Sequence, residues 1–564
     1  MAIGILKLVM FKKWLNPKVL LVVILLIGAF LRFYNLNWDQ GYNFHPDERN
    51  IAIAISNLNL DQGQLNPKFW AYGSLPIYTI YSIAYVTTKL GIRNLLEFSQ
   101  YVLIGRFLSA LLSTVIIYLT YYIIKQLLKT KKNQEIAALI GAGFVCFLPG
   151  MIQFAHFMTF ETYLTFMYLL MLIWVMQYLS SAQSKYLYLL ALTIGLSIAT
   201  KITSLVFIPL VSICLAIEFY NQNRRINFLF IFSRKHILSI LIIIFVGFIA
   251  SPYNILDFKG FLGAFNYESN VARGILPVFY TQQFIGTIPV IYQLTKVFPF
   301  VLTIPLTILA VITLIYLGFN TLRISFLAIA KSFQINPKVS QLIMLLLITC
   351  AYLASNFVMY VKWTRYMIPS LPFLVIIIVL VILKFKTQLQ ILFKPLTFII
   401  LVWTIGAGLS FFTLYLQPDT RLQGAVWATD NLNLHATVTA EIYDLGIVPF
   451  NSVFSVQNMT LLNLYDMEYY PDKIWEDLNQ SQIFISTSPR IYSTRFRLPN
   501  KYPDGYRFYD FVFNAGQWQQ VANFDRNLVE CNIFTLNCMF NTIKPDETFS
   551  VFDHPEIKVF TKLP

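Results

Sequence analysis

The sequence predicts an all-α polytopic membrane protein that closes in a small C-terminal α/β domain, and three observations carry that prediction. Hydrophobic residues make up 57% of the 564 and charged residues 12%, about half the charged share of a soluble domain. Apolar runs long enough to cross a bilayer recur along residues 1–416. After Gln417 the composition turns ordinary, and short β-like runs (TVTAEIY, QIFISTS, YDFVF, EIKVF) alternate with turn residues, with a possible helix around 425–433. Residues 1–416 therefore form the membrane domain and 417–564 a separate polar domain.

The formal net charge of +15 raises nucleic-acid binding as a possibility. The placement of the charges excludes it, because most Lys and Arg fall in short loops between apolar runs, as membrane orientation requires. Lys7, Lys12, Lys13 and Lys18 set the start of the first span, 19–36, in the cytoplasm. That run exceeds the apolar core of a signal peptide and no A-x-A-like cleavage site follows, so it is retained. The Tyr-rich run 75–90 is read as an interfacial amphipathic helix, since a crossing there would put the later basic loops on the wrong side. Spans follow at 101–127, 136–152, 162–179, 186–200, 202–219, 237–250, 288–319, 340–360, 367–383 and 396–416, about eleven in all.

With this topology the basic loops fall inside and the unusual polar clusters fall outside, together with the C-terminal domain. The first cluster is NWDQGYNFHPDERN, residues 37–50, with Asp39, His45, Asp47 and Glu48. The others are His156 with Glu161, Lys201 at a span end, the loop 251–287 with Glu268 and Arg273, and Lys362 with Arg365. Arg106 lies inside the outer end of a span, where it needs an acid or a phosphate. A transporter would scatter such residues along a pathway through its spans. Here they gather at one interface.

Carboxylates on one wall and cations on the other suit an anionic, lipid-anchored substrate attacked at the carbon beside its phosphate. A polyprenyl phosphate sugar is one: cations hold the phosphate and stabilise it as it leaves, and a carboxylate takes the proton of an acceptor hydroxyl or amine. Asp47 is the first choice for that base, with Glu48 or Asp39 as alternatives. Glu161 is a second active-site acid or a helix-start carboxylate. Lys201 is a phosphate contact or a snorkelling lysine. Arg106, Lys362 and Arg365 are phosphate-binding candidates, Arg365 ahead of Lys362, with orientation anchoring the alternative for both of these. Asp39, His45, His156, Glu268 and Arg273 are candidates for acceptor or substrate contact. His45 and His156 admit a divalent metal, but two histidines on separate loops do not require one. Cys531 and Cys538 form a local disulfide if the tail is extracytoplasmic, or are a coincidental pair of thiols.

Several segments also carry a resemblance, spread over nearly the whole chain and in one order. Asp47-Glu48 after the first span resembles the first-loop motif of the GT-C superfamily of lipid-carrier-dependent glycosyltransferases, in the protein O-mannosyltransferase and lipid A aminoarabinose transferase branch (glycosyltransferase family 39/83-like). GRFLSALLSTVIIYL (105–119), HFMTFE (156–161), GLSIATK (195–201), SPYNILD (251–257), KWTRYMIPSLP (362–372) and FDHPEIKVF (552–560) are similar to segments of the same branch. The resemblance implies a GT-C fold and an inverting hexosyl or pentosyl transfer on the non-cytoplasmic face of the plasma membrane. It implies an undecaprenyl or dolichyl phosphate sugar as donor, a protein, lipid or polysaccharide as acceptor, and Asp47 in the place of the catalytic carboxylate. Phe160-Glu161 depart from the Thr-Pro-like turn and Asp usual in the second outer loop. A flippase of lipid-linked sugars, using the same cations without bond cleavage, is the competing expectation.

Overall fold

A computed structural model describes residues 16–129, 133–225, 228–331, 333–442, 448–525 and 544–564. Cys531 and Cys538, and Lys7, Lys12 and Lys13, lie outside the described residues. The chain is a multi-pass membrane protein by length and composition: among the described residues, seven helices are long and apolar enough to cross a membrane. The other expected spans are helices of 14 to 17 residues, Pro17–Phe33, Gln134–Phe147, Ser184–Ile198 and Arg234–Ala250.

Each of the eleven apolar runs contains a helix, but four are broken near one end. Pro149, which has no N–H to donate, follows the end of Gln134–Phe147, and a short helix Pro149–Gln153 continues after it. Run 202–219 splits into a 3₁₀ turn, Ile202–Phe207, and an α-helix begun by Pro209. Run 288–319 opens in two π turns, Gln293–Val297 and Pro299–Thr303, before the helix Ile304–Ala330. KWTRYMIP, expected to begin a span at 367, begins instead as a 3₁₀ turn, Thr364–Ser370, that carries Arg365.

The bundle centres on Phe98–Leu127, which packs against Pro17–Phe33, Gln134–Phe147 and Glu161–Ser181. Arg32 is fully buried there, and among the described residues no acid pairs with it. It donates to the carbonyls of Gly28, Val145 and Cys146 and to Ser113 Oγ, at 2.8 to 3.1 Å. The last carbonyls of a helix lack intrahelical partners, so Arg32 satisfies those left at the break before Pro149. The Tyr-rich run is a helix, Leu75–Lys89, and its entry is fixed by Gly73. Gly73 N donates to Thr200 O at 3.0 Å and Leu75 N to Ala199 O at 3.1 Å. A Cβ on Gly73 would meet Ala199 O at 2.0 Å, so only glycine lets these two segments touch.

The C-terminal domain holds a five-stranded mixed sheet. Strands β1 (Val438–Glu441), β2 (Met459–Leu462), β3 (Ile483–Ser486), β4 (Trp518–Phe524) and β5 (Ile557–Lys562) lie in the order β2-β1-β3-β5-β4. The first three run parallel and the last two antiparallel to their neighbours. YDFVF, expected as a strand, lies in the helix Pro503–Asn514 instead, because Phe508, Tyr509 and Val512 recur at helical spacing and bury together against Phe484 and Phe560. The possible helix at 425–433 is Thr420–Asn431.

Candidate active site

The acidic loop folds into a short helix, Pro46–Ser56, whose N-cap is His45 and whose first turn holds Asp47 and Glu48. Consecutive residues on a helix point about 100° apart. The two acids therefore enter different surroundings.

Glu48 turns into the bundle. Arg106 donates from Nε to Glu48 Oε1 at 2.9 Å and from Nη2 to Oε2 at 2.6 Å, and its Nη1 and Nη2 reach Asp39 at 3.1 and 2.6 Å. Met158 N donates to Glu48 at 2.6 Å, and Arg106 also meets the Leu36 carbonyl and the Trp38 ring. All three charged side chains are sealed from solvent. Burial pushes the Glu48 carboxyl up; for Asp39 burial acts the same way, but the Arg106 charge overcomes it and holds Asp39 below its usual range. Arg106 was expected to meet an acid or a phosphate, and two acids occupy it. The triad pins the loop to the bundle and leaves Arg106 closed to a donor phosphate.

Asp47 turns the other way, to Arg365. The two form an ion pair, each side chain 20% exposed, and Arg365 Nη1 also donates to Tyr72 Oη at 2.8 Å. Burial raises the Asp47 carboxyl, but the Arg365 charge and hydrogen bond, with the Lys201 charge behind them, hold it below the ordinary carboxylate range. Lys201, at the end of the stitched 199–201 segment, lies over the rings of Tyr72 and Tyr366 at 5.6 and 4.7 Å. Burial lowers its pKa against the pull of Glu161, Asp47 and Glu268. Glu161 opens the helix Glu161–Ser181; it is 2% exposed, and neither carboxylate oxygen has a hydrogen-bond partner. Arg365 Nε is likewise buried without one. Such unmade bonds cost free energy, and they mark where a polar ligand would fit.

Glu268, on the helix Phe258–Ala272, faces the same cluster: burial raises its carboxyl while Arg365 and Lys201 lower it. The remaining candidates fall elsewhere. Lys362 is buried but donates to the Tyr360 carbonyl at 2.6 Å and faces the rings of Phe284 and Tyr360, so it does not join Arg365. Arg273 is exposed and bonds Ser269 O and Asn270 on its own helix. His45 Nδ1 accepts from Asp47 N at 3.2 Å, and its ring lies 4.1 Å from that of Phe552. His156 sets its two ring nitrogens 2.8 and 2.9 Å from the carbonyls of Ile152 and Tyr34 and stacks on Tyr415. Burial pushes His45 down to about 3 and His156 to about 4, so both are neutral. Among the described residues no group of three or more His, Cys, Asp or Glu is placed to hold a metal ion. Tyr72 and Tyr366 are the parts of the cluster that the sequence did not single out, though the Gly after Tyr72 signals a close backbone approach.

Residues 94–249 match the family model described as dolichyl-phosphate-mannose-protein mannosyltransferase. That range includes Arg106, Glu161 and Lys201 and stops short of Asp47 and Arg365. No curated protein sequence matches the chain. Among solved structures the chain is similar to an oligosaccharyltransferase of Archaeoglobus fulgidus tethered with an acceptor peptide containing the NVT sequon. Identity is 12%, coverage is 98% of this chain and 89% of that one, and the TM-score is 0.49. It is also similar to ArnT from Cupriavidus metallidurans bound to undecaprenyl phosphate, at 13% identity over 86% of this chain and 94% of that one, with a TM-score of 0.39.

Proposed function

We propose that this chain is a membrane glycosyltransferase that moves one sugar from a polyprenyl phosphate to an acceptor on the extracytoplasmic face, with inversion. The observation that carries the reading is a half-open cluster in which one carboxylate, Asp47, sits on a cation, Arg365, beside a second cation, Lys201, and a buried acid with free oxygens, Glu161. The family-model match over residues 94–249 supports a polyprenyl-phosphate-linked donor.

In the reaction, the acceptor oxygen or nitrogen attacks the anomeric carbon, and the bond from that carbon to the phosphate oxygen breaks. The electron pair stays on the phosphate, where Arg365 and Lys201 stabilise it. Asp47 takes the acceptor proton. The resting ion pair gives this step an order. While Arg365 lies on Asp47 the carboxylate is a weak base; an incoming phosphate that draws the guanidinium to itself removes that charge and raises the basicity of Asp47. Glu161 orients the acceptor through its free oxygens.

The test is to incubate the purified full-length protein with a panel of polyprenyl phosphate sugars and measure free polyprenyl phosphate. Release that disappears in Asp47→Asn supports the reading. Movement of the lipid-linked sugar across a vesicle bilayer with no release would replace it with a flippase.

A further inference from the structure

The tail touches this cluster from behind, at two points only a few residues apart. Asp546 is fully buried, and its Oδ1 accepts from Tyr292 Oη at 2.7 Å while Oδ2 accepts from Thr364 Oγ1 at 3.0 Å and Thr548 N at 3.1 Å. Thr548 Oγ1 accepts in turn from Thr364 N at 3.1 Å. Thr364 is thus held through both its backbone and its side chain, and the next residue is Arg365. Further along, the Phe552 ring lies 4.1 Å from the His45 ring at 29°, and His45 caps the helix turn that presents Asp47. The stretch between is anchored in the bundle. Gln153 Nε2 donates to the Phe549 carbonyl at 2.6 Å and to Asp553, which also accepts from Tyr415 Oη at 2.9 Å.

A domain that merely rested on the bundle would have no reason to grip both the residue before Arg365 and the cap two residues before Asp47. We infer that residues 546–552 are a positioning strap: Asp546 sets Arg365 through Thr364, and Phe552 sets Asp47 through the ring of His45. Neither Asp546 nor Phe552 meets substrate; each acts through the residue it holds. Displacements on the order of 1 Å in such a constellation cost about a hundredfold in rate, so contacts of this kind are where a remote domain has leverage on turnover. The kinetic consequence rests on the proposed transferase reaction, and the structural one does not.

Two measurements on the full-length protein in lipid nanodiscs test the strap. Thr364→Val keeps the side-chain shape and removes the hydroxyl. It is expected to lower kcat by about a hundredfold with donor KM little changed, while Thr364→Ser restores kcat. The acid limb of the pH profile should also move to higher pH in Thr364→Val, as Arg365 slackens from Asp47 while the other groups facing it, Lys201, Glu161, Glu268 and the neutral His45, stay in place. Wild-type kcat and pH profile in Thr364→Val, or an equal loss in Thr364→Ser, would overturn the inference. Without substrate, hydrogen exchange should quicken at 363–367 in Asp546→Asn and at 45–51 in Phe552→Leu; unchanged exchange also overturns it. Quickened exchange in a protein that turns over no sugar donor would keep the strap and sink the transferase reading alone.

Discussion

Arg106 and Arg365 each meet a carboxylate of the same short helix, at neighbouring residues, and the two pairs could hardly differ more. Arg106 spends its Nε and both terminal nitrogens on Glu48, Asp39 and the Leu36 carbonyl, and nothing in the triad reaches solvent. Arg365 holds Asp47 and Tyr72 with one nitrogen, leaves Nε unpartnered and stays 20% exposed, and both oxygens of Glu161 in the same cluster are idle. The difference teaches that charge pairing alone does not identify a reactive centre. What separates the two pairs is unused bonding capacity: the saturated triad has none left for a ligand, and the open pair has some.

The comparison breaks or sharpens under four tests, in falling order of effect. Asp47→Asn should cut transfer by roughly 10²–10⁴-fold while folded protein is recovered in wild-type yield; normal turnover would move the base elsewhere. Arg106→Met strips the counter-charge from two buried carboxylates and should cost about 3–5 kcal/mol, seen as loss of thermally stable protein. Adding Asp39→Asn and Glu48→Gln should recover much of that stability, because the charges left unpaired are then gone. Glu441 shows what sealing does without a cation. It accepts from Tyr509 Oη at 2.6 Å, Ser486 Oγ at 3.0 Å and Thr487 N at 3.0 Å, and burial pushes it up to about 7. A carboxyl raised in the folded state holds its proton longer than in the unfolded chain. Stability is therefore full below the unfolded value near 4.5 and falls by about 3 kcal/mol as pH rises to about 7. Glu441→Gln should flatten that decline in thermal melts of the full chain. Lys362→Met should have the smallest effect, with donor KM unchanged, since its amine points at a carbonyl and two rings; a large rise in KM would return it to the phosphate site.

Much of this was legible because composition and periodicity are local properties. The apolar runs, the polar tail and the expectation that Asp47, Lys201, Glu161 and Arg365 share one face follow from hydropathy and from counting basic loops, whereas their convergence does not. What stayed hidden depends on angles that spacing alone does not convey. Asp47 and Glu48 read as one acidic pair until a helix turn separates them. Lys362 and Arg365 read as one basic pair until the turn begun at Thr364 sends their side chains apart. YDFVF has strand propensity, and burial on a helical period overrides it. Asp546 looked like any acid in a polar tail, since only the chain's return to the bundle brings it to Thr364.

The helices Gln134–Phe147 and Ser184–Ile198, of 14 and 15 residues, lead into the segments that deliver Glu161 and Lys201. Helices of that length rise only roughly 21–23 Å, against a hydrocarbon slab of about 30 Å. The backbone beyond each short helix has to supply the missing depth, through Pro149–Gln153 in one case and through the turn at 199–201 in the other.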